Sequence, residues 1–171
     1  NIASSGYLYD TIEELPEVDR SLMEAAIEAT KNSYSPYSKF RVGAALLMED
    51  DSVIVGSNQE NAAYPSGMCA ERVAIWKAGS DFPNKKIKKI AITAISSNKQ
   101  VDKPVGPCGA CRQSLLEYEI NQEEPMEVIF MGEVGKIVKA ESITSLLPFS
   151  FDKTNSNLSI IIVEFMLYSM S

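Results

Sequence analysis

Five residues in two short stretches of the sequence have the types and spacing to hold a metal ion and activate water. Cys69 is followed by Glu71 and Arg72, and Cys108 and Cys111 form a Cys-x-x-Cys pair. The chain has no other cysteine. Thiolates bind zinc well, and a carboxylate near one of them can serve as a general acid and base toward a water molecule. The pattern therefore predicts a metal site with a catalytic carboxylate beside it.

The number of possible ligands favours a catalytic metal over a structural one. The sequence contains three cysteines and no histidine, so its thiols supply three positions of a tetrahedral zinc and leave the fourth to water. The lack of histidine also excludes a Ser-His-Asp triad, a Cys-His pair and an HExxH zinc helix. We expect one zinc ion held by Cys69, Cys108 and Cys111.

Charge balance gives the two residues after Cys69 separate roles. Three thiolates carry more negative charge than one zinc ion neutralises, which makes water on the metal a poorer acid. Arg72, about one helical turn after Cys69, can donate hydrogen bonds to the thiolates and offset that excess. Glu71 is then available as the general acid and base rather than as a ligand.

These residues are also compatible with three simpler roles. Cys108 and Cys111 could form a redox dithiol, although Cys69 and Glu71 would then have no role. The cysteines could hold a structural zinc, which would need a fourth ligand such as an aspartate. Glu71 and Arg72 could be solvated helix residues that pair with each other.

Composition restricts the class of protein. A chain of 171 residues with 45% hydrophobic and 23% charged residues is typical of one globular domain. A net charge of −7 without a basic run argues against long nucleic acids as partners. An odd cysteine count argues against a disulfide framework and for a reducing compartment, so we expect the cytoplasm. No signal peptide is recognisable at the start.

Hydrophobic periodicity predicts alternating helices and strands that could position these residues. We expect a loose N-terminal arm over 1–15, a single catalytic domain over 16–152 and a C-terminal tail over 153–171. The apolar segment from Leu158 to Met170 contains Glu164 and is too short to span a bilayer, so a terminal strand or tail is favoured. The predicted elements are a helix over 16–32, strands over 41–48 and 52–56, a helix over 68–78, a strand over 87–95, a helix over 110–118, strands over 127–131 and 136–139, and a final turn over 142–147. This order predicts an α/β fold with helices on the faces of one sheet.

The two cysteine stretches resemble a known family. Cys-Ala-Glu-Arg over 69–72, followed by Pro-Cys-Gly-Ala-Cys-Arg-Gln over 107–113, is similar to the zinc-dependent cytidine deaminases, in their three-cysteine homotetrameric branch. Three further blocks resemble that family in the same order, and the similarity extends from Glu17 to Phe151. These blocks are YSPYSKFRVGA over 34–44, NQENAAY over 58–64 and LLPFSF over 146–151.

The resemblance implies roles for individual residues. Asn58 and Glu60 match positions that hold the ribose hydroxyls, and Phe40 matches an aromatic that packs at the pyrimidine. Ala70 matches a residue whose backbone touches the base. Glu71 matches the residue that shuttles protons between water, ring N3 and the departing ammonia.

The resemblance also implies assembly and activity. Tyr64 and Phe151 match residues contributed to the active site of a neighbouring subunit in a homotetramer. We therefore expect a three-layer α/β/α fold with a mixed five-stranded sheet, one zinc per subunit, and hydrolysis of cytidine and 2′-deoxycytidine to their uracil nucleosides and ammonia in pyrimidine salvage. A deaminase of a modified nucleoside or free base, and a non-catalytic binding protein stabilised by zinc, remain alternatives.

Overall fold

The computed structural model describes residues 6–153, which form three α-helices and six β-strands around one sheet. Four single turns of 3-10 helix occur between these elements. The strands and helices in chain order are β1 Gly6–Tyr9, α1 Glu17–Ala29, β2 Phe40–Met48, β3 Val53–Ser57, α2 Ala70–Asp81, β4 Ile87–Ser96, α3 Gly109–Gln122, β5 Glu127–Met131 and β6 Ile137–Ala140.

The sheet is mixed, with strand order β1-β6-β5-β4-β2-β3. Strands β4 and β5 run parallel, and helix α3 provides the crossover between them, as parallel pairing requires. The other neighbours are antiparallel. As expected from the short acidic stretch 49–51, β2 and β3 form a hairpin, in which Asp51 has a φ of 65°.

Helices cover both faces of the sheet, which gives three layers. Alternate residues of β2 point to opposite sides: Leu46 packs in the core shared with α2 and α3, whereas Ala45 and Leu47 pack in the core shared with α1. This alternation follows from the two-residue period of a strand. Residues 90–92 of β4 and 128–129 of β5 are apolar on both faces because helices lie on each side of the sheet there.

The fold class predicted from the sequence is confirmed, but the strand count was wrong. The sheet has six strands rather than five, because Gly6–Tyr9 pairs antiparallel with β6, in the register Gly6 opposite Ala140 and Tyr9 opposite Ile137. Part of the expected loose arm is therefore an edge strand. A four-residue strand shows too few alternations to be recognised without its partner.

Two expectations about the ends of the chain have different outcomes. The tail proposed over 153–171, including the apolar segment from Leu158, lies outside the described residues except for Lys153. Among residues 6–153, no helix combines the length and apolar character that crossing a membrane requires.

Candidate metal centre and active site

The three cysteines come together at the N-termini of α2 and α3. Cys69 and Cys108 occupy the position just before each helix with extended backbones, and Cys111 lies in the first turn of α3. Their three Sγ atoms all lie within 4.8 Å of one another, and the two sulfurs of the Cys-x-x-Cys pair are 3.4 Å apart. Both helix ends direct unpaired N–H groups and positive partial charge toward this cluster, which favours thiolates.

Gly56 allows α2 to approach the sheet closely enough to bring Cys69 into this cluster. A Cβ at Gly56 would lie 2.5 Å from the carbonyl oxygen of Ala70 and 2.6 Å from the amide nitrogen of Ala74. Any larger residue would push the first turn of α2 away from β3. The position of Cys69 therefore depends on the absence of a side chain at Gly56 in the neighbouring strand β3.

Arg72 lies beside the thiols. Its Nη2 is 3.8 Å from the Sγ of Cys69, and its guanidinium lies 5.8 Å from the ring centroid of Trp76. The hydrogen bond to Cys69 raises the pKa of Arg72. The Nε atom of Arg72 is buried and has no hydrogen-bond partner. Within residues 6–153, every other buried side-chain nitrogen or oxygen atom has one. Arg72 therefore provides fixed positive charge at the edge of the cluster.

The electrostatics of the cluster suit a soft divalent cation. A hydrogen bond from the Cys111 thiol, assisted by Arg72, lowers the pKa of Cys69 to about 5. The same contact, together with burial, raises the pKa of Cys111. Three sulfurs this close repel one another as thiolates unless a cation lies among them, and zinc prefers such a donor set. The residues fit a zinc ion.

Glu71 is placed where it can act within the site but not in bulk water. It lies in the first turn of α2, is only 5% exposed, and lines the same cavity as Cys69 and Cys108. Burial is the main reason why the pKa of Glu71 is raised above its ordinary value. A buried carboxyl next to a metal site has the placement expected of a general acid and base.

A cavity of about 960 Å³ opens in front of the cysteines. This volume is within the range of small-molecule sites, which are usually apolar with a few polar groups. The wall includes Phe40, Asn58, Glu60 and Tyr64, four residues assigned to substrate from the sequence. Tyr64 is 90% exposed and stands at the rim.

Asn58 and Glu60 also hold the start of β2 and the segment that precedes it. Asn58 Oδ1 accepts hydrogen bonds from the Ser33 hydroxyl at 2.5 Å and the Val42 amide at 2.8 Å, while its Nδ2 donates to the Phe40 carbonyl at 2.9 Å. One N–H of that amide group remains for another acceptor.

Glu60 holds the turn next to that segment. Its Oε2 accepts from the backbone amides of Tyr37 and Ser38 at 2.9 and 3.3 Å. The Ser38 hydroxyl, together with these amides, lowers the pKa of Glu60. This carboxylate therefore stays ionised at neutral pH and retains lone pairs for further donors.

Two residues assigned to substrate do not lie on this wall. Ala70 is fully buried in the core between α2 and the sheet. Phe151 is 61% exposed and is not part of the cavity lining of its own chain. The assignment of Phe151 to the site of another subunit stays a prediction.

Several wall residues were not predicted from the sequence. Tyr37, Met68 and Val105 line the cavity. Val105 lies just ahead of the Cys-x-x-Cys motif and Met68 just ahead of Cys69, so proximity to a ligand was the available signal. Tyr37 reaches the cavity because Glu60 binds its backbone amide, which no local pattern indicates.

Comparisons with known proteins agree with this geometry. Residues 16–123 match the family model described as "Cytidine and deoxycytidylate deaminase zinc-binding region". A cytidine deaminase of Halalkalibacterium halodurans is 39% identical over 136 residues, which cover 80% of this chain and 96% of that protein. A probable cytidine deaminase of Dictyostelium discoideum is 40% identical over 123 residues, which cover 68% of this chain and 80% of that protein.

Solved structures show the same similarity in three dimensions. The crystal structure of cytidine deaminase from Burkholderia pseudomallei superposes with a TM-score of 0.68 at 34% identity, covering 80% of this chain and all of that one. That of the Mycobacterium tuberculosis enzyme gives a TM-score of 0.60 at 30% identity, covering 77% and 94%.

Proposed function

The chain belongs to the family of cytidine and deoxycytidylate deaminases that share this zinc-binding region, and from that premise we propose that it hydrolyses cytidine and 2′-deoxycytidine. Water replaces the amino group at C4, so that the products are uridine or 2′-deoxyuridine and ammonia. The observation that carries the proposal is the convergence of three thiols next to the buried Glu71, on the wall of a cavity that has room for a nucleoside.

The metal ligands are Cys69, Cys108 and Cys111, because they are the three thiols that the fold brings together. When bound there, one zinc ion per subunit supplies a Lewis acid that makes water more acidic. Arg72 offsets the excess negative charge of the three sulfurs through its contact with Cys69.

Glu71 moves the protons. It accepts one proton from the attacking water and delivers it to ring N3. It then takes the remaining proton from the new hydroxyl group on C4 and passes it to the amino group, so that the C4=O bond forms as the C4–N bond breaks and ammonia leaves. Each transfer stays inside the cavity because the carboxyl is 5% exposed. The proton balance closes with neutral ammonia and an unchanged Glu71 at the end of the cycle.

Asn58 and Glu60 orient the sugar. The remaining N–H of Asn58 can donate to a ribose hydroxyl, and the ionised Glu60 can accept from one, which matches the dual character of hydroxyl groups. Phe40 presents an apolar ring to the pyrimidine. The role of the Ala70 backbone at the base rests on the motif resemblance alone, because the residue is fully buried and does not line the cavity. Asn58 is hydrogen-bonded to the backbone of Phe40 and Val42, which supports the proposal that the residue contacting the sugar and the residue contacting the pyrimidine are held next to each other.

The active site is shared between subunits of a homotetramer. Two facts support this part of the proposal: Tyr64, Phe149 and Phe151 are 90%, 82% and 61% exposed, and Phe151 does not line the cavity of its own chain. Exposed aromatic side chains of this size are typical of interfaces. A second copy of the chain would cover them, with Phe151 closing the neighbour's cavity.

The chain acts in the cytoplasm, in pyrimidine salvage. Three closely spaced thiols free of disulfides support a reducing compartment. The products of the reaction are uracil nucleosides, which fit a salvage role.

The proposal is tested by measuring ammonia release from a small panel of substrates. The zinc-loaded protein is incubated with cytidine, 2′-deoxycytidine, cytosine, 2′-deoxycytidine 5′-monophosphate and a modified cytosine nucleoside. We expect turnover of the first two, with kcat/KM at least about tenfold lower for cytosine because it lacks the sugar hydroxyls that Asn58 and Glu60 would bind. Preference for the modified nucleoside or free base would identify a related deaminase. Bound zinc without ammonia from any substrate would indicate a binding protein.

A further inference from the structure

The segment that carries Phe151 follows β6 and lies against helix α3. We call residues 142–151 the strap. Its regular secondary structure is limited to one 3-10 turn over Thr144–Leu146. The Ser142 hydroxyl accepts a hydrogen bond from the Ser145 amide at 3.0 Å. A segment with so little regular structure is ordered only by the contacts it makes with the rest of the fold. The side chains that hold the strap therefore determine where Phe151 lies.

A buried carboxylate in α3 fixes the start of the strap. Glu119 is 5% exposed and accepts four hydrogen bonds. Three come from the strap: the Ile143 amide at 2.8 Å, the Thr144 amide at 2.9 Å and the Thr144 hydroxyl at 2.6 Å. The fourth comes from the amide of Met126, just before β5, at 2.8 Å. A buried charge is stable only with such partners, so this position has a specific requirement for a carboxylate.

Two further side chains of the same helix hold the rest of the strap. Arg112 Nη1 donates to the Leu146 carbonyl at 2.9 Å, and its Nε donates to the Pro107 carbonyl, next to the ligand Cys108, at 2.8 Å. Gln113 Nε2 donates to the carbonyl of Phe151 itself at 2.8 Å. Helix α3 thus carries the ligand Cys111 and holds the strap at its start, its middle and its end.

We propose that Glu119 is a positioning residue for the active site of the adjacent subunit, acting through the strap and Phe151. This proposal rests on the proposed function, in which Phe151 closes a neighbour's cavity. Phe151 is part of the binding surface rather than of the proton path, so its displacement weakens substrate and transition state alike. The result is a change in KM more than in kcat.

The first measurement is the steady-state kinetics of Glu119→Gln. The glutamine amide keeps one acceptor oxygen, but an NH₂ group replaces the other. The donors that bonded to the replaced oxygen therefore lose their acceptor. We expect KM for cytidine to rise about tenfold, the size of one or two lost hydrogen bonds, with kcat within about twofold of the wild type. The matched control is Glu117→Gln, the same charge change on the same helix at an exposed residue bonded to Asn121, which should leave both constants unchanged.

The decisive experiment uses mixed oligomers. Glu119→Gln subunits, which have an intact Glu71, are co-expressed with Glu71→Gln subunits, which have an intact strap, and the mixed species is isolated through two different tags. We expect the KM of the mixed species to return toward the wild-type value, because intact straps now close the cavities that contain Glu71. A KM equal to that of pure Glu119→Gln oligomers would overturn the proposal, since Glu119 would then act within its own subunit.

Gln113→Ala covers the case in which Glu119→Gln does not fold. Gln113 is only partly buried and its contact to Phe151 is exposed, so folding should be preserved. The same increase in KM and the same rescue in mixed oligomers are expected. Wild-type KM in folded, zinc-loaded Gln113→Ala and Glu119→Gln would contradict the proposal. If the wild type itself released no ammonia, the proposed function would fail instead, and a monomeric, active wild type would overturn the shared site and with it this inference.

Discussion

The two faces of the sheet bury charge in opposite ways. Beneath α1, the fully buried Asp19 contacts Lys89 at 2.5 Å and Lys139 at 2.7 Å. Both lysines also contact Glu127, at 2.7 and 3.1 Å. Each of the four carboxylate oxygens therefore has an ammonium partner. We call these four residues the closed network.

On the opposite face, at the N-termini of α2 and α3, the charged groups of the cysteine cluster are not matched to one another. The three sulfurs have no cation among the described residues other than Arg72 at their edge, the Nε of Arg72 has no acceptor, and Glu71 is buried without a cation of its own. A matched set can only stabilise the fold, whereas an unmatched set can bind a metal and a substrate. The candidate active site therefore lies on the face whose charged groups lack partners within the chain.

The largest expected effect is the loss of the metal. Cys108→Ala leaves two thiols, too few to hold zinc in the tetrahedral site, so zinc content should fall well below one per chain and deamination should be undetectable. Atomic absorption on the purified protein measures the first and ammonia release the second. Asp19→Asn, on the other face, should keep its full zinc complement. A full complement in Cys108→Ala would show that the ligand set is wrong.

The next largest effect concerns proton transfer. Glu71→Gln should retain zinc and fold normally but lower kcat by about 10²–10⁴-fold, the usual contribution of a general acid and base. Stopped assays of ammonia release over long incubations can measure such rates. The control is Glu127→Gln, a carboxylate of the closed network, which should leave kcat unchanged. Wild-type turnover by Glu71→Gln would refute the role.

Breaking the closed network should affect stability alone. Asp19→Asn leaves two lysines facing one glutamate in a buried position, which costs about 3 kcal/mol of unfolding free energy. In a chain of this size that loss lowers Tm by about 6–12 °C. Urea unfolding and calorimetry measure these quantities. If kcat of the folded variant fell in parallel, the two faces would not be independent.

Substitutions of two glycines, one on each face of the sheet, test the difference between the faces through packing rather than through charge. Gly56→Ala presses on the start of α2, and Gly43→Ala places a Cβ against the Ala26 carbonyl oxygen and 2.9 Å from the Thr30 amide in and after α1. Each should lower stability by about 1–3 kcal/mol. Only Gly56→Ala should also lower kcat, because α2 carries Cys69 and Glu71. Kinetics at low temperature, where both variants remain folded, test the difference.

The smallest expected effect is the pH dependence of the closed network. Burial alone would raise the pKa of Asp19, but hydrogen bonds from Lys139 and Lys89 outweigh it and lower the pKa below its usual value of 3.8. A lowered folded-state pKa gives stability that is present above the unfolded value and lost as the pH falls through the folded value. The stability difference between wild type and Asp19→Asn should therefore be constant from about pH 7 to about pH 5 and shrink below about pH 4. A difference that shrinks already at about pH 6 would contradict this sign.

Much of the fold was predictable from the sequence because periodicity is local. The predicted strand over 127–131 is observed with the same bounds, and the one predicted over 41–48 begins one residue earlier, at Phe40. The helix predicted over 110–118 extends to Gln122, because Ile120 is the single apolar residue of its last turn and too little to continue the apolar period. Strand β1 was missed because its hydrogen bonds go to β6, more than 120 residues away.

The site was predictable to the same extent. Cys69, Glu71, Cys108 and Cys111 were identified from residue type and spacing alone. Glu119 was not, because a glutamate among the polar residues of a helix is ordinarily solvated and only the partners at Ile143 and Thr144 distinguish it. The sequence also did not indicate that Glu60, a candidate for binding the sugar, accepts a hydrogen bond from the backbone amide of Tyr37.

The sequence by itself determined the chemistry of this protein: three thiols without histidine, a carboxylate beside the first, and an arginine one helical turn further on. Those properties reside in single side chains and short spacings, which any folded form of the chain retains. Only the tertiary structure decided which charges are matched and which remain available. Lys139 meets Asp19 across 120 residues of chain, whereas no described cation other than Arg72 reaches the sulfurs. Such pairing depends on distances between remote elements, which hydrophobic burial and sheet register set for the whole domain at once.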